Sequence, residues 1–190
     1  MWIAISGGLS TLSLVIVAAF NRAQRLVHNL ANARHQIEVQ LMRRHELIPN
    51  LVSLVQGAME QERAVIDEIV QARVQAVSAL SAGAGSPESD RAEDKLTSAL
   101  RALMPMIEAY PHLSSLENIA SLQEEIASTE NRIAFARQHY NDTAAALNLA
   151  KDQFPASFFL RNAERAEYWQ VPEGADIVPS ARLAVGARVA

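Results

Sequence analysis

Five histidines, twenty-one carboxylates and no cysteine are the raw material for chemistry in this chain of 190 residues. A carboxylate-bridged metal pair in a helical protein needs a glutamate three residues before a histidine, so that both project from one helical face. The residues three before His28, His35, His45, His112 and His139 are Arg25, Asn32, Met42, Ala109 and Ala136. None is a glutamate. There is no His-Glu-x-x-His run, and His45-Glu46 leads only to Leu47, Ile48 and Pro49. His28 and His35 share a face but sit two turns apart, about 10 Å, too far to share one ion. The histidines therefore read as surface or capping side chains. The lack of cysteine excludes disulfides, thiolate zinc sites and cysteine nucleophiles. Gly7-Gly8 and Gly83-Ala84-Gly85 lack the lysine and the strand of a phosphate loop, and no G-x-S-x-G elbow is present. Glu60 with Glu62, and Glu124 with Glu125, read as solvated helix faces rather than acid–base pairs. No catalytic, cofactor-binding or metal-ligating set emerges. The expectation is a protein that is not an enzyme and takes no cofactor.

Two polar clusters stand out from this background. Arg43-Arg44-His45-Glu46 precedes Pro49-Asn50, joining two arginines, a helix-breaking residue and an amide. Arginines there can cap the last carbonyls of a helix, where the macrodipole favours cations. The second cluster runs from Glu124 through Glu130 and Asn131 to Arg132, which lies near an apolar stripe and would need a carboxylate if buried. Both fit a structural polar network or a partner-binding surface.

The elements that must position these clusters are helices. Aromatic residues are only 5% of the chain and glycines number seven, a poor recipe for sheet. Apolar residues recur at three- and four-residue steps in four stretches: Leu26 to Leu41, Leu51 to Leu80, Leu96 to Ile107 and Leu116 to Phe154. Pro49 should break or kink the first helix. Residues 81–86 are a small-residue connector, after which Ser86-Pro87 reads as a cap with proline at the first helical position; Asp90 with Glu93 is an alternative start. Pro105 should bend the third helix and Tyr110-Pro111 end it. Ser114 with Glu117 has capping-box spacing, and Pro155 should stop the fourth helix. Short connections force neighbours to run antiparallel. The fold expected is all-α: an amino-terminal transmembrane helix (1–20), an elongated antiparallel up-and-down four-helix bundle (21–155), and a largely irregular extension (156–190).

From Trp2 to Phe20 no residue is charged, and nineteen helical residues span about 28 Å, close to the hydrocarbon thickness of a bilayer. A cleaved signal peptide would want positive charge before the apolar run, although Val17-Ala18-Ala19 resembles a cleavage site. A buried core helix is the other alternative, because Ser6, Gly7, Gly8, Ser10, Thr11 and Ser13 dilute the hydrophobicity. A single-pass anchor is the favoured reading. Arg22, Arg25 and Arg34 follow the span and no basic side chain precedes it, which places the body on the cytoplasmic side of an inner membrane. Small residues four apart, Ser6-Ser10 and Gly7-Thr11, could let two such spans associate. Seventeen basic against twenty-one acidic residues, a net charge of −4, argues against nucleic acid as a partner.

The block Gln36 to Leu41, continuing into Arg43-Arg44 and Glu46-Leu47-Ile48-Pro49-Asn50-Leu51-Val52, resembles the LemA family. So do Glu108 to Pro111, and the run from Leu122-Gln123-Glu124-Glu125 through Thr129-Glu130-Asn131-Arg132-Ile133 to Tyr140-Asn141-Asp142, with Phe154-Pro155 and Glu167-Tyr168 after it. The likeness covers roughly residues 20–175. Arg34-His35 departs from it, where an aromatic-containing pair is common, and the segment after Pro155 is short. The resemblance implies one membrane helix and a helical bundle with no agreed catalytic activity, in a family with a magnetosome-associated branch. It nominates Arg43, Arg44, Asn50, Glu124, Glu130, Asn131, Arg132, Tyr140 and Asn141 as a shared structural or interaction network.

Together these readings lead to the expectation of a non-enzymatic scaffold or adaptor at a bacterial inner membrane, with the lipid bilayer and further proteins as partners and self-association open. The rival expectation is a regulatory or sensory membrane protein that signals through a kinked first helix.

Overall fold

The computed structural model describes residues 2–169, with side chains described from residue 13 onward. Among them there is helix and no strand. The first helix, α1, runs Trp2–Val55, about 80 Å at 1.5 Å per residue. A 3₁₀ turn at Glu60–Glu62 leads into α2, Arg63–Ala82; then come α3, Pro87–Glu108, the short α4, Pro111–Ser114, the long α5, Glu117–Asp152, and the one-turn α6, Ala156–Phe159.

One stripe on α1 organises the molecule. Ala23, Ala33, Ile37, Leu41, Arg44, Ile48, Leu51 and Val55 are all buried, at steps that keep them on one face. The matching stripe on α5 is Ile119, Ile126, Thr129, Ile133, Ala136, Tyr140, Ala144, Leu147 and Ala150. The two helices run antiparallel, pairing Arg43 with Glu125 near one end and Phe20 with the segment after α5 at the other. The α2 and α3 helices pack on each other and cover only the far part of this pair. There Leu47, Ile48, Leu51, Val55, Ile66, Ile69, Leu96, Leu100, Leu103, Ile107, Ile119 and Ile126 form the main core. Nearer the amino-terminal end the α1–α5 pair is covered by chain following α5.

Several sequence expectations change here. Pro49 does not interrupt α1, which continues to Val55, so Leu51 and Val55 belong to the first helix and not the second. A helical proline frees the carbonyl four residues back, here that of His45, and the Arg73 side chain of α2 donates to this oxygen through Nε at 2.7 Å. The Ser86 cap is formed, accepting from the Ser89 amide at 3.1 Å, and α3 starts at Pro87 rather than beside Asp90. The Ser114–Glu117 capping box is not formed. Leu116 caps α5, and the Ser114 hydroxyl donates back to the Pro111 carbonyl within its own turn. Pro105 lies inside α3, which ends at Glu108, while α5 stops at Asp152, just before Pro155.

The segment after α5 is more ordered than an irregular extension as far as Trp169. Asn148 pairs through both amide atoms with the backbone of Ala166, at 2.9 and 2.9 Å. Asn141, two turns earlier on the same face, does so with Trp169, at 3.0 and 2.7 Å. The expected tail beyond residue 170 lies outside the described residues.

The expected transmembrane helix lies in large part outside the described side chains. Among the described residues no helix is long and apolar enough to cross a membrane. Within the described part of that stretch Leu14, Val15, Ile16 and Val17 are exposed, and Phe20 is half-exposed against Phe159.

Candidate functional site

Where the four long helices meet, two charged residues occupy positions that the stripes would give to leucine. Arg44 stands in the α1 stripe between Leu41 and Ile48. Glu93 stands in the α3 stripe between Ser89 and Leu96, and both side chains are 1% exposed. The Arg44 guanidinium donates to Glu93 through one nitrogen, and to Glu130 of α5 and the Thr97 hydroxyl (2.8 Å) through the other. His45 Nε2 lies 3.0 Å from the second Glu93 oxygen, and the His45 carbonyl receives Arg73 from α2. Thus one layer ties all four long helices through a fork of charge-assisted bonds, geometry that arginine provides and lysine does not.

Electrostatics follow from burial and pairing. Burial opposes the charge on Arg44, but Glu130 and Glu93 outweigh it and hold the guanidinium above its ordinary range. Burial pushes the Glu93 carboxyl upward; His45 and Arg44 overcome this and hold it below the usual carboxylate range.

A second polar group flanks the first, toward the amino-terminal end. Arg137 of α5 is buried, with Nη1 3.9 Å from Asp94 and its guanidinium 5.8 Å over the Trp169 ring. Burial lowers its pKa despite Asp90 and Asp94. Burial also raises the Asp90 carboxyl, partly offset by Arg137. Trp169 is 5% exposed, meets Tyr140 edge-on at 5.6 Å, and lies over Gly85 in the α2–α3 connection. A Cβ on Gly85 would come within 2.9 Å of the indole, and its φ of +76° is one that L side chains rarely adopt.

On the outer surface a groove of ≈ 570 Å³ runs between α1 and the end of α2, lined by Glu38, Met42, Glu46, Arg73, Val77 and Leu80 among others. Among the described residues no three His, Asp or Glu side chains converge as a metal-binding group.

The sequence matches the model of the LemA family over residues 33–181. The chain belongs to the LemA family. It is also similar to magnetosome protein MamQ 2 and magnetosome protein MamQ 1 of Paramagnetospirillum magneticum, and to magnetosome protein MamQ of Magnetospirillum gryphiswaldense. Each is 24% identical over 88% of this chain and 72% of the relative.

For this LemA-family chain the nominated residues separate into groups. Arg44 and Glu130 belong to the buried layer, and Tyr140 and Asn141 hold Trp169. Arg43 lies at the rim, bonded to Glu125 at 2.7 Å. Asn50, Glu124, Asn131 and Arg132 are exposed, Arg132 beside Gln36 and Gln40 in a shallow groove. Arg132 is exposed, so the carboxylate partner that burial would have required is not called for. It flanks the stripe that Ile133 occupies, whereas Arg137, four residues on from Ile133, is the α5 arginine that turns inward. The arginines at 43 and 44 do not cap a helix end, since α1 continues past them. His45 is buried, unlike the exposed His28, His35, His112 and His139.

Sequence reasoning missed Glu93, Thr97, Arg73, Arg137 and Trp169. Glu93 had a readable signal, because it keeps the spacing of Leu96, Leu100 and Leu103 on the α3 apolar face.

Proposed function

We propose that this LemA-family protein is a membrane-anchored helical scaffold or adaptor without catalytic machinery, held at the inner membrane by the apolar start of α1 with its body on the cytoplasmic side. The observation that carries the reading is the exposed run Leu14 to Val17, on a helix that continues unbroken into the body. Exposed apolar surface of this kind needs lipid or protein to cover it. Arg22, Arg25 and Arg34 on the body side of the run support the orientation. The likeness to magnetosome proteins supports a membrane role. The non-enzymatic part is supported by the buried titratable groups, which are committed to one another in pairs. The α1–α2 groove, with exposed Met42 and Val77 between Glu38, Glu46 and Arg73, offers an adaptor surface for a helical partner.

Alkaline carbonate washing of membranes, followed by crosslinking in intact cells with mass spectrometry, tests this reading. Retention in the membrane and crosslinks from the groove to another protein or a second copy are expected. Release by carbonate overturns the anchor, and an absence of crosslinked protein overturns the scaffold.

The uninterrupted passage of α1 through Pro49 favours a second reading, a regulatory protein that transmits a signal along this helix. Pro49→Ala should alter signalling output under that reading and only stabilise the helix under the first.

A further inference from the structure

The end of the body nearest the start of α1 carries an apolar surface that the core does not use. Chain direction reverses after α5, and α6 lies against α1, with Phe159 edge-on to Phe20 at 5.7 Å. Beside this contact Phe154 is 89% and Phe158 75% exposed, the two most exposed large apolar side chains among the described residues. Phe158 meets Phe159 edge-on at 5.5 Å and is otherwise largely exposed. Arg22 follows Phe20 by two residues, and Arg161 follows Phe159 by two. Both arginines are exposed. On the amino-terminal side of Phe20, Leu14 to Val17 are exposed.

We propose that Phe154 and Phe158 form an interfacial foot that inserts into the headgroup–acyl boundary of a lipid bilayer, with Arg22 and Arg161 at phosphate depth. The proposal rests on the anchor reading above, because it needs α1 to enter lipid at this end. Aromatic rings favour the bilayer interface, while arginine reaches outward to phosphates and anionic headgroups. The foot gives the body a second contact with the surface, beside the point where α1 enters. It fixes how the rod stands on the membrane, as a single helix alone could not. The surface is continuous through Phe20 with the exposed apolar run Leu14 to Val17, which the anchor reading places in lipid, so lipid is the occupant.

The chain has no cysteine, so single labels are clean. Phe158→Cys, Phe20→Cys and Val74→Cys full-length proteins, each carrying an environment-sensitive fluorophore, are placed in vesicles of phosphatidylcholine and phosphatidylglycerol. Val74 is exposed on α2 next to Arg73, which touches His45; His45 lies about 37 Å along α1 from Phe20, so Val74 serves as the remote control. Lipid-borne shallow nitroxide is expected to quench the label at 158 roughly threefold more than at 74, as it does at 20. Equal quenching at 158 and 74, with 20 still quenched and the protein retained through carbonate, overturns the foot while leaving the anchor intact. Loss of quenching at all three positions overturns the anchor and the foot together. Self-quenching at 158 that vanishes on dilution with lipid assigns the face to a second copy and overturns the proposal.

Discussion

The two ends of this helical rod are held by opposite means. At the far end four helices surround a core of leucine, isoleucine and valine that is interrupted by one buried charged layer, Arg44, Glu93, Glu130 and His45. At the near end the α1–α5 pair closes on alanines, Ala23 and Ala150 among them, with Leu147, Leu160 and an aromatic contact, and its apolar surface remains bare. An apolar stripe alone would let α1 and α5 slide by a turn, since each repeats every three to four residues. A charge at one level of the stripe forbids that slip, because every other register strands it among leucines. The layer fixes the register in which the bare end is presented, and we expect the largest mutational effects there.

Arg44→Met should be the most damaging single change. It leaves Glu93 buried at 1% exposure without its arginine partner, and breaking such a pair costs about 3–5 kcal/mol. Denaturant unfolding in detergent measures the loss. Arg44→Met with Glu93→Leu should recover most of it, since an apolar pair of similar volume removes the stranded charge. A double variant as unstable as the single would show that the layer contributes packing rather than charge pairing.

The same layer sets the acid limb of stability. Glu93 titrates below its ordinary value in the folded protein, so its contribution is present above that ordinary value and is lost as pH falls through the folded one. Asp90 has the opposite sign: its raised carboxyl contributes stability in acid that is lost as pH rises through its folded value. Unfolding midpoints should therefore fall below about pH 4, and Glu93→Gln should flatten that fall while Asp90→Asn should steepen it. An unchanged slope in Glu93→Gln would remove the layer as the acid-sensitive element.

How far this contrast was legible in the sequence depends on the residue. The helices could be read because their stripes are periodic, and the Ser86-Pro87 start because its chemistry is local. The continuity of α1 could not be read, because the proline penalty is offset by Arg73, twenty-four positions after Pro49 and on another helix. Arg44 and Glu130 stood out in the two polar clusters and again in the family resemblance, yet the second carboxylate on Arg44, Glu93, was hidden as a possible helix start. Trp169 was invisible because the Asn141 side chain and the Tyr140 ring, and no period of its own, hold it in place. Polar residues inside an apolar stripe carry the missing information when each helix is read at one level rather than along its length.

Between the two ends, Trp169 seals the α2–α3 connection, and Gly85 tests how tightly. Gly85→Ala places a methyl 2.9 Å from the indole at a φ of +76°, and should cost about 1–3 kcal/mol. In a Trp169→Ala background the steric part vanishes and only the backbone part remains, so the increment should shrink. Equal increments in both backgrounds would mean that the indole does not press on the loop.

The smallest effect concerns the bond that lets α1 pass Pro49. Arg73→Met leaves the His45 carbonyl without its donor and should cost about 1 kcal/mol, because this group is only partly buried. With Pro49→Ala in place the alanine amide can reach that carbonyl within the helix, so Arg73→Met should cost less. The coupling between the two sites should be about 1 kcal/mol, read from a four-variant denaturation cycle. The sign matters more than the size, because an arginine that merely lay near α1 would give additive changes. Positive coupling would make Arg73 the substitute for a bond the backbone cannot form. The stiffness of α1 between its exposed apolar end and the charged layer would then depend on α2, and loss of Arg73 would loosen the rod at Pro49 alone.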